Sequence, residues 1–253
     1  MQQVGLDKEN FEVFMRTISM LRDICGDVDI RGGIARQRTN DKFSVFEIDM
    51  TPVITDIDLP ITEIKKKLDL FKIFVGVEDT IEITTDEEFY TISDQHTSLK
   101  FQKPDLDFMD NKFMPENERD ALFIRNEEDI ILTTELSSTI SDRMRIITQG
   151  FNVNMVHIML EGETASITAR TQSKDQFAKL KDGIIVDRVM EASSNISNIP
   201  FIIDHDGDME FKMYLASEDD GVVANQFSTS ISDVEINIYG RSSLIEVEDT
   251  EEE

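Results

Sequence analysis

Apolar residues near the start of the chain recur at helical spacing. They occupy positions i, i+3, i+4, i+7 and i+10, which share one face of a helix: Phe11, Phe14, Met15, Ile18 and Leu21. Gly26 follows the last of them and marks the predicted helix end. Apolar and polar residues then alternate over 28–31 and 46–50, with a turn at 39–41. The pair Gly32-Gly33 indicates a bulge or a close backbone approach within a strand. This stretch predicts a helix followed by a β-hairpin with one solvated face.

The next stretch predicts a second helix and more strands. Between about 61 and 74, an apolar stripe has the spacing of a buried helix face: Ile64, Leu68, Phe71 and Phe74. Strands are predicted at 81–83 and 89–92, joined by a turn at 86–88, and a further strand at 99–101.

The pattern restarts in the second half of the chain. After a strand at 130–132, the spacing predicts a helix over 138–150 that ends at Gly150. Its predicted apolar face is Ile140, Met144, Ile147 and Phe151, and its predicted polar face is Ser141, Arg145 and Thr148. Strands at 153–160 and 165–170 follow, joined by a predicted turn at 161–163. Helix, glycine and hairpin recur in the same order, so the chain is predicted to contain two similar domains.

A stretch without clear periodicity separates the two halves. Residues 105–120 are acidic, contain Pro115 and are predicted to be an interdomain linker between domains 1–104 and 121–253. The linker carries more large apolar residues than a solvated tether needs: Leu106, Phe108, Met109, Phe113 and Met114. They either pack onto their own domain or border a groove for partner peptides.

The charge is strongly negative overall but not everywhere. The chain has 25 Lys and Arg against 52 Asp and Glu, a net charge of −27, and should be repelled by nucleic acid unless positive charge is concentrated locally. Segments 8–26, 61–74 and 138–150 concentrate it, because together they hold nine basic and six acidic residues. The basic residues there are Lys8, Arg16, Arg22, Lys65, Lys66, Lys67, Lys72, Arg143 and Arg145.

Several classes of chemistry are not indicated. The single Cys25 cannot form an internal disulfide, and no signal peptide or membrane-spanning run is recognisable, which predicts a cytoplasmic protein. The three histidines are scattered, and Asp204 to Asp208 has the spacing of a polar turn and not of a calcium loop. No phosphate-binding glycine loop, dinucleotide fingerprint or hydrolase motif is present. The sequence predicts no cofactor, no metal and no enzyme.

The order of these elements resembles that of the DNA sliding clamps, the processivity factors of DNA polymerases. The resemblance covers most of residues 7–170 and lies mainly in 29–50, in 77–83, and in 143–150 leading into 153–170. It implies an α+β fold of two repeated clamp domains, with antiparallel sheets outside and helices lining a ring. Two domains per chain suit a homotrimer.

The resemblance also implies a function. A ring around duplex DNA needs positive potential only on its inner helices, and loose phosphate contacts without base readout permit sliding. By resemblance, the candidate DNA-facing residues on the three helices are Arg16, Arg22, Lys65, Lys66, Lys72, Arg143 and Arg145. The implied partners are DNA polymerase, an ATP-driven clamp loader and factors that dock through short hydrophobic peptides near the linker.

The last third departs from this pattern. The fourth helix expected after Lys174 lacks periodicity, so Lys174, Lys179 and Lys181 are predicted to supply charge from a loop. This compressed ending is more similar to phage-type clamps. Strands are predicted at 209–215 and 234–238, and disorder after Val247.

Alternatives remain open at this point. A specialised clamp for checkpoint signalling or transcription activation has the same pattern as a replicative one. A β-rich structural or virion assembly protein is equally compatible with acidity and hairpins, although it has no evident need of basic helix faces.

Overall fold

The chain folds into two units in the computed structural model, which describes residues 1–40, 42–105, 108, 112–123, 125–171, 176–217 and 221–246. Unit 1 comprises residues 1–116 with 230–237, and unit 2 comprises 117–229 with 238–253. Each unit combines antiparallel strands with few helices, which confirms the predicted α+β class.

In its described residues, unit 1 contains two complete helices and strands of two sheets. Its helices are α1 (Lys8–Ile24) and α2 (Ile64–Phe71), the latter continued by a 3₁₀ turn (Lys72–Phe74). The first sheet has the order β1-β6-β7-β8 and consists of β1 (Gln2–Leu6), β6 (Ile81–Thr85), β7 (Phe89–Ser93) and β8 (Ser98–Gln102). The second contains β5-β2-β3-β4 in that order: β2 (Val28–Arg31), β3 (Ile34–Arg38), β4 (Ser44–Asp49) and β5 (Leu59–Ile61).

Unit 2 is built around one sheet. Its helices are α3 (Glu116–Phe123), which begins at the unit boundary, α4 (Ser138–Phe151) and the single turn α5 (Ile199–Ile202); a 3₁₀ turn covers Glu127–Asp129. The strand order is β10-β11-β9-β12-β13-β14. These strands are β9 (Ile130–Leu136), β10 (Met155–Arg170), β11 (Phe177–Ser197), β12 (Asp206–Ser217), β13 (Val222–Ile231) and β14 (Val234–Glu246).

Helix α1 forms where the spacing predicts it. The Asp7 carboxylate caps its N-terminus by accepting a hydrogen bond from the Asn10 backbone N–H at 2.8 Å. All five residues of the predicted apolar face are buried. Phe14 packs against Phe71 of α2, with ring centroids 6.5 Å apart, and Phe11 against Phe74 at 6.1 Å. Helix α2 begins at Ile64 and not at 61, because Ile61 pairs with Val28 in the sheet.

The Gly32-Gly33 pair is a hairpin turn and not a bulge within one strand. Arg31 pairs with Ile34 across it, and both glycines have positive φ, 55° and 84°, as a two-residue type I′ turn requires. The region 28–49 therefore forms three strands where the sequence predicted two. The predicted close approach is confirmed at Gly33, where an added Cβ would lie 2.9 Å from the Ile54 carbonyl oxygen.

This geometry predicts different costs for two neighbouring substitutions. Gly33→Ala would combine positive φ with a backbone clash and should lower the free energy of unfolding by roughly 2–4 kcal/mol. Gly32→Ala, where an added Cβ meets no atom within 4 Å, should lower it by only about 1 kcal/mol. Urea denaturation of the two variants measures the difference; equal losses would contradict the role of the Ile54 contact.

The polar side of the β2–β3–β4 sheet is not solvated as predicted. Asp29 and Arg36 are buried there, and Gln37 is buried on the opposite face of the sheet, across from Phe46. Arg36 is ion-paired with Glu47, its cross-strand neighbour. The Gln37 amide donates to the Asp27 carbonyl at 2.8 Å, where β2 and β3 no longer pair. Polar side chains therefore provide hydrogen bonds to backbone groups that have no partner within the sheet.

Helix α4 is rotated relative to the predicted face. Its buried residues are Ser141, Met144 and Thr148, whereas Ile140 and Ile147 are half-buried. The buried Thr148 hydroxyl is satisfied within the helix, since it donates to the Met144 carbonyl at 2.8 Å. The helix also continues through Gly150 to Phe151.

Left-handed Asn152, with φ of 50°, caps α4 in place of the predicted glycine. Asparagine tolerates this conformation better than most residues other than glycine.

The predicted turn at 161–163 lies within one long strand. Strand β10 continues through it, and its pairing with β11 shifts register between Gly162 and Thr164. Strand β11 occupies most of the region where a fourth helix was in doubt, and α5 supplies only one helical turn. Lys179 and Lys181 therefore lie on a strand and not in a loop. Lys174 and the tail after Val247 lie outside the described residues.

The last two predicted strands are present. Met209, Phe211, Met213 and Leu215 are buried on β12, and Val234, Ile236 and Ile238 on β14. In the described part of the chain, each helix is either too short or too polar to span a lipid bilayer.

Candidate nucleic-acid interface

The most basic surface among the candidates is the solvent-exposed side of α2 and its 3₁₀ turn. Ile64, Leu68 and Phe71 are buried, which leaves Lys65, Lys66 and Lys72 exposed. The Lys72 ammonium lies 2.7 Å from the Asp69 carboxylate, and Lys66 is ion-paired with Glu63. This face carries more lysines than carboxylates and has a net positive charge.

Helix α1 contributes Arg22 to the same surface. Arg22 is exposed and lies 2.9 Å from the Asp23 carboxylate. A hydrogen bond from Lys72, together with the charges of Lys72, Lys65 and Arg22, holds the pKa of the Asp69 carboxyl below its usual value. The fold thus brings these three cations together around one carboxylate. Arg16 is half-buried farther along α1.

The unit 2 candidates form a weaker positive surface. Arg143 is exposed on α4, and Arg145 is ion-paired with Asp142 at 2.6 Å. On β11, Lys179 is paired with Asp182 at 2.9 Å, and the Lys181 ammonium donates to the Glu135 carbonyl. Exposed Ile146 lies among the α4 cations.

Local ion pairs reduce the positive potential of these helices. On α1 the basic and acidic side chains are equal in number, so the lysines of α2 supply most of the excess. An exposed pair of this kind contributes only about 0–1 kcal/mol to stability, so a phosphate oxygen can replace the carboxylate at low cost. The arrangement suits loose, exchangeable phosphate contacts and no base readout.

The segment 112–114 packs onto the sheet of unit 1. The Met114 backbone N–H donates to the Arg36 carbonyl at 2.8 Å, and Phe113 forms a β-bridge with Gln37. The Met114 side chain is buried, so at this position the observed contact is with its own unit. The sequence did not reveal this docking, because it depends on where β3 lacks a partner strand.

Two arginines that sequence analysis did not select surround Phe113. The guanidinium carbon of Arg31 lies 4.7 Å from the ring centroid, and that of Arg36 lies 5.9 Å away. Phe113 is half-buried, whereas Phe108 is 48% exposed and lies 4.7 Å from the Lys112 ammonium. Leu106 and Met109 lie outside the described residues.

An ion pair holds this segment in place. The Lys112 ammonium lies 2.5 Å from the Asp27 carboxylate, which also accepts from the Glu63 backbone N–H at 2.8 Å. Burial opposes the charged form of Asp27, but these hydrogen bonds outweigh it and hold the pKa of the carboxyl below its usual value. Phe108 and Phe113 therefore lie before and after Lys112 in the chain, and this ion pair holds Lys112 against unit 1.

Solved structures provide an independent comparison. A. fulgidus PCNA, bound to the C-terminal region of FEN-1, is 13% identical, covers 98% of this chain and 100% of its own, and has a TM-score of 0.58. PCNA from Thermococcus kodakaraensis is 10% identical, with coverages of 96% and 99% and a TM-score of 0.60. The PCNA2-PCNA3 complex from Sulfolobus tokodaii is 11% identical, with coverages of 95% and 99% and a TM-score of 0.59.

The chain has the fold of a DNA sliding clamp. The resemblance inferred from the residues is therefore confirmed, and it extends through the last third, where the sequence pattern had departed. No protein-family model matches the chain, and no curated protein matches it at a significant level. Identities of 10–13% make this a likeness of fold.

Proposed function

We propose that this protein is a sliding clamp that encircles duplex DNA and tethers DNA polymerase for processive replication. The observation that carries the proposal is the match of 95–98% of the chain to PCNA structures, in a chain whose acidic surface has basic helices. An ATP-driven loader would open the ring, and the clamp itself would catalyse no reaction.

The proposed DNA-facing residues are those selected by resemblance. In unit 1 the cations that meet around Asp69 would make the main contacts. In unit 2, Arg143 and Arg145 would add to them. Lys174, Lys179 and Lys181 remain candidates from the sequence alone. The ion pair of Lys179 with Asp182 and the hydrogen bond of Lys181 to the Glu135 carbonyl favour a structural role for these two lysines.

We further propose that three copies form the ring, with residues 1–104 and 121–253 as the repeated domains joined by 105–120. Large exposed apolar side chains on β11 support self-association. Ile185 is 72% exposed, Val189 67% and Phe177 50%. Such residues are unfavourable on a strand that stays in water.

Light scattering across a concentration series tests the assembly. We expect a discrete species with the mass of three 29.0 kDa chains. Ile185→Asp should shift it toward monomer, because a carboxylate would be buried in the interface. Ile146→Asp is the matched control, since Ile146 is 67% exposed but lies on α4. A wild-type chain that remains monomeric at every concentration would contradict the ring.

The proposed docking site for partner peptides is the surface around Phe108 and Phe113. The A. fulgidus PCNA structure holds a C-terminal FEN-1 region, so a short protein segment is a reasonable probe. Apolar side chains of a peptide would pack beside the two rings, and Arg31 would keep Phe113 oriented.

A labelled C-terminal FEN-1 peptide, followed by fluorescence anisotropy, tests this assignment. Phe113→Ala should weaken binding about tenfold, the effect of losing a contact worth ~1.4 kcal/mol. Phe108→Ala should weaken it less, because that ring is more exposed. Phe43→Ala, at a 59% exposed residue elsewhere in unit 1, serves as the control. Unchanged affinity in Phe113→Ala would remove this surface from the proposal.

A further inference from the structure

A polar pocket lies beside the first turns of α4 in unit 2. It has a volume of about 280 Å³. It is lined by Ser138, Ser141, Asp142 and Arg145 of α4, and by Phe201, Ile203, Asp204 and His205 from α5 and the residues that follow it. A single water needs only ~10–15 Å³, so the pocket has room for a larger group.

The Ser141 hydroxyl is the first unusual feature of this pocket. Ser141 is only 4% exposed, and its Oγ has no hydrogen-bond partner in the part of the chain that the structure describes. The hydroxyl of Thr148, which lies on the same buried face of α4, has a partner because it donates to the Met144 carbonyl. A buried hydroxyl without a partner is unfavourable, because it has lost its hydrogen bonds to water. The pocket is where Ser141 can obtain one.

The imidazole of His205 is the second unusual feature of this pocket. Its Nδ1 is buried and has no hydrogen-bond partner among the described residues. Burial lowers the pKa of His205 and outweighs a hydrogen bond with the Asp206 backbone and the charges of Asp204 and Asp142, which raise it, so the ring is neutral near pH 7. A neutral imidazole carries one acceptor nitrogen.

Charge decides which ligand suits the pocket. The Arg145 guanidinium lies 2.6 Å from the Asp142 carboxylate, which offsets its charge. Asp204 adds a second carboxylate to the lining, so the lining side chains carry two formal negative charges against one positive charge, in a chain of net charge −27. An anion such as phosphate would be repelled, and a cation attracted.

We propose that this pocket binds an organic cation, a guanidinium or alkylammonium group, whose N–H donors are accepted by Ser141, His205 and Asp204. The group can come from a basic side chain of a partner protein or from a free polyamine. The inference goes beyond the clamp function and does not depend on it, because it rests only on side chains of unit 2.

The His205 pKa is a direct reporter of the charge that enters the pocket. A bound cation disfavours protonation, so N-acetyl-arginine amide or putrescine should lower the pKa measured by NMR on the full-length chain, by roughly 0.5–1. A bound anion would raise it. The NMR signals of His96 and His157, which do not line the pocket, should not move when either cation is added. The arginine derivative represents a partner's side chain and putrescine a free polyamine, so the probe with the larger effect at equal concentration identifies the source.

Two variants test the contacts. Asp204→Asn should weaken cation binding about tenfold or more, because it removes the excess negative charge, and Ser141→Ala should weaken it severalfold. Asp233→Asn, at an exposed carboxylate in unit 1, should leave it unchanged. Circular dichroism shows whether each variant folds. A His205 pKa that neither cation moves at ~10 mM would mean that the pocket holds only solvent, and one raised by inorganic phosphate would mean an anion site; either result overturns the proposal.

Discussion

Replacing Lys65, Lys72 and Arg145 with Glu is expected to abolish most of the protein's ability to support processive DNA synthesis. Each lost phosphate contact lowers the slope of log K against log salt by about 0.9, so losing three lowers it by about 2.7. The loss should exceed tenfold in product length in primer extension with the cognate polymerase and loader. Thermal stability should change little, because these side chains are partly or fully exposed and their ion pairs contribute ~0–1 kcal/mol each.

A matched triple variant distinguishes the effect of charge on the helix surface from the effect of the net charge of the whole chain. Lys42, Lys100 and Lys103 lie outside the candidate helices, and changing them to Glu alters the net charge by the same amount. Processive synthesis should survive in this control. If both triple variants lose it equally, overall charge and not the helix surface governs DNA binding. If neither loses it, α2 and α4 do not face DNA.

Phe14→Ala is expected to cause the largest loss of stability. Phe14 is fully buried between α1 and α2, 6.0 Å from the Phe11 ring and 6.5 Å from the Phe71 ring. Removing a buried phenyl group typically costs about 3–5 kcal/mol, since the cavity collapses only in part. The urea midpoint of unfolding measures this loss.

The same substitution has a functional consequence. Phe14 holds α1 against α2, and the cations around Asp69 come from both helices, so its loss should also weaken DNA binding. Glu12→Ala, at an exposed α1 position, is the control and should shift the free energy of unfolding by less than ~0.5 kcal/mol. A small effect of Phe14→Ala on stability would indicate that unit 1 can repack around the cavity.

The sequence pattern predicted helices and strands correctly wherever the buried residues recur at the regular spacing of a helix or a strand. The apolar face of α1, the α2 stripe and the strands β6, β7, β12 and β14 are present as predicted. Large apolar side chains at regular spacing can be buried together in few ways, so their spacing in the chain is enough to predict which face of a helix or strand is buried. The candidate cations of α2 followed from the same argument, since they occupy the face opposite the stripe.

The predictions that were wrong concern residues whose surroundings come from distant parts of the chain. Ser141 was assigned to the solvated side of α4, but the helix turns it inward beside His205 and Asp204. Gly32 and Gly33 were placed inside a strand, because nothing local distinguishes a two-residue turn from a bulge. Glu161 to Glu163 has turn-forming composition, yet β11 pairs along both sides of it and keeps the strand continuous.

The sequence by itself determined the α+β class, the resemblance to sliding clamps, the main apolar helix faces and the concentration of positive charge on short segments. Only the tertiary structure decided which polar residues are buried. Ser194 is an example: it lies in a stretch without recognisable periodicity, yet it is fully buried, because β14 places the Ser242 hydroxyl 2.7 Å away. A polar side chain can be buried when a partner satisfies its hydrogen bonds, and a partner 48 residues away leaves no trace in the local pattern.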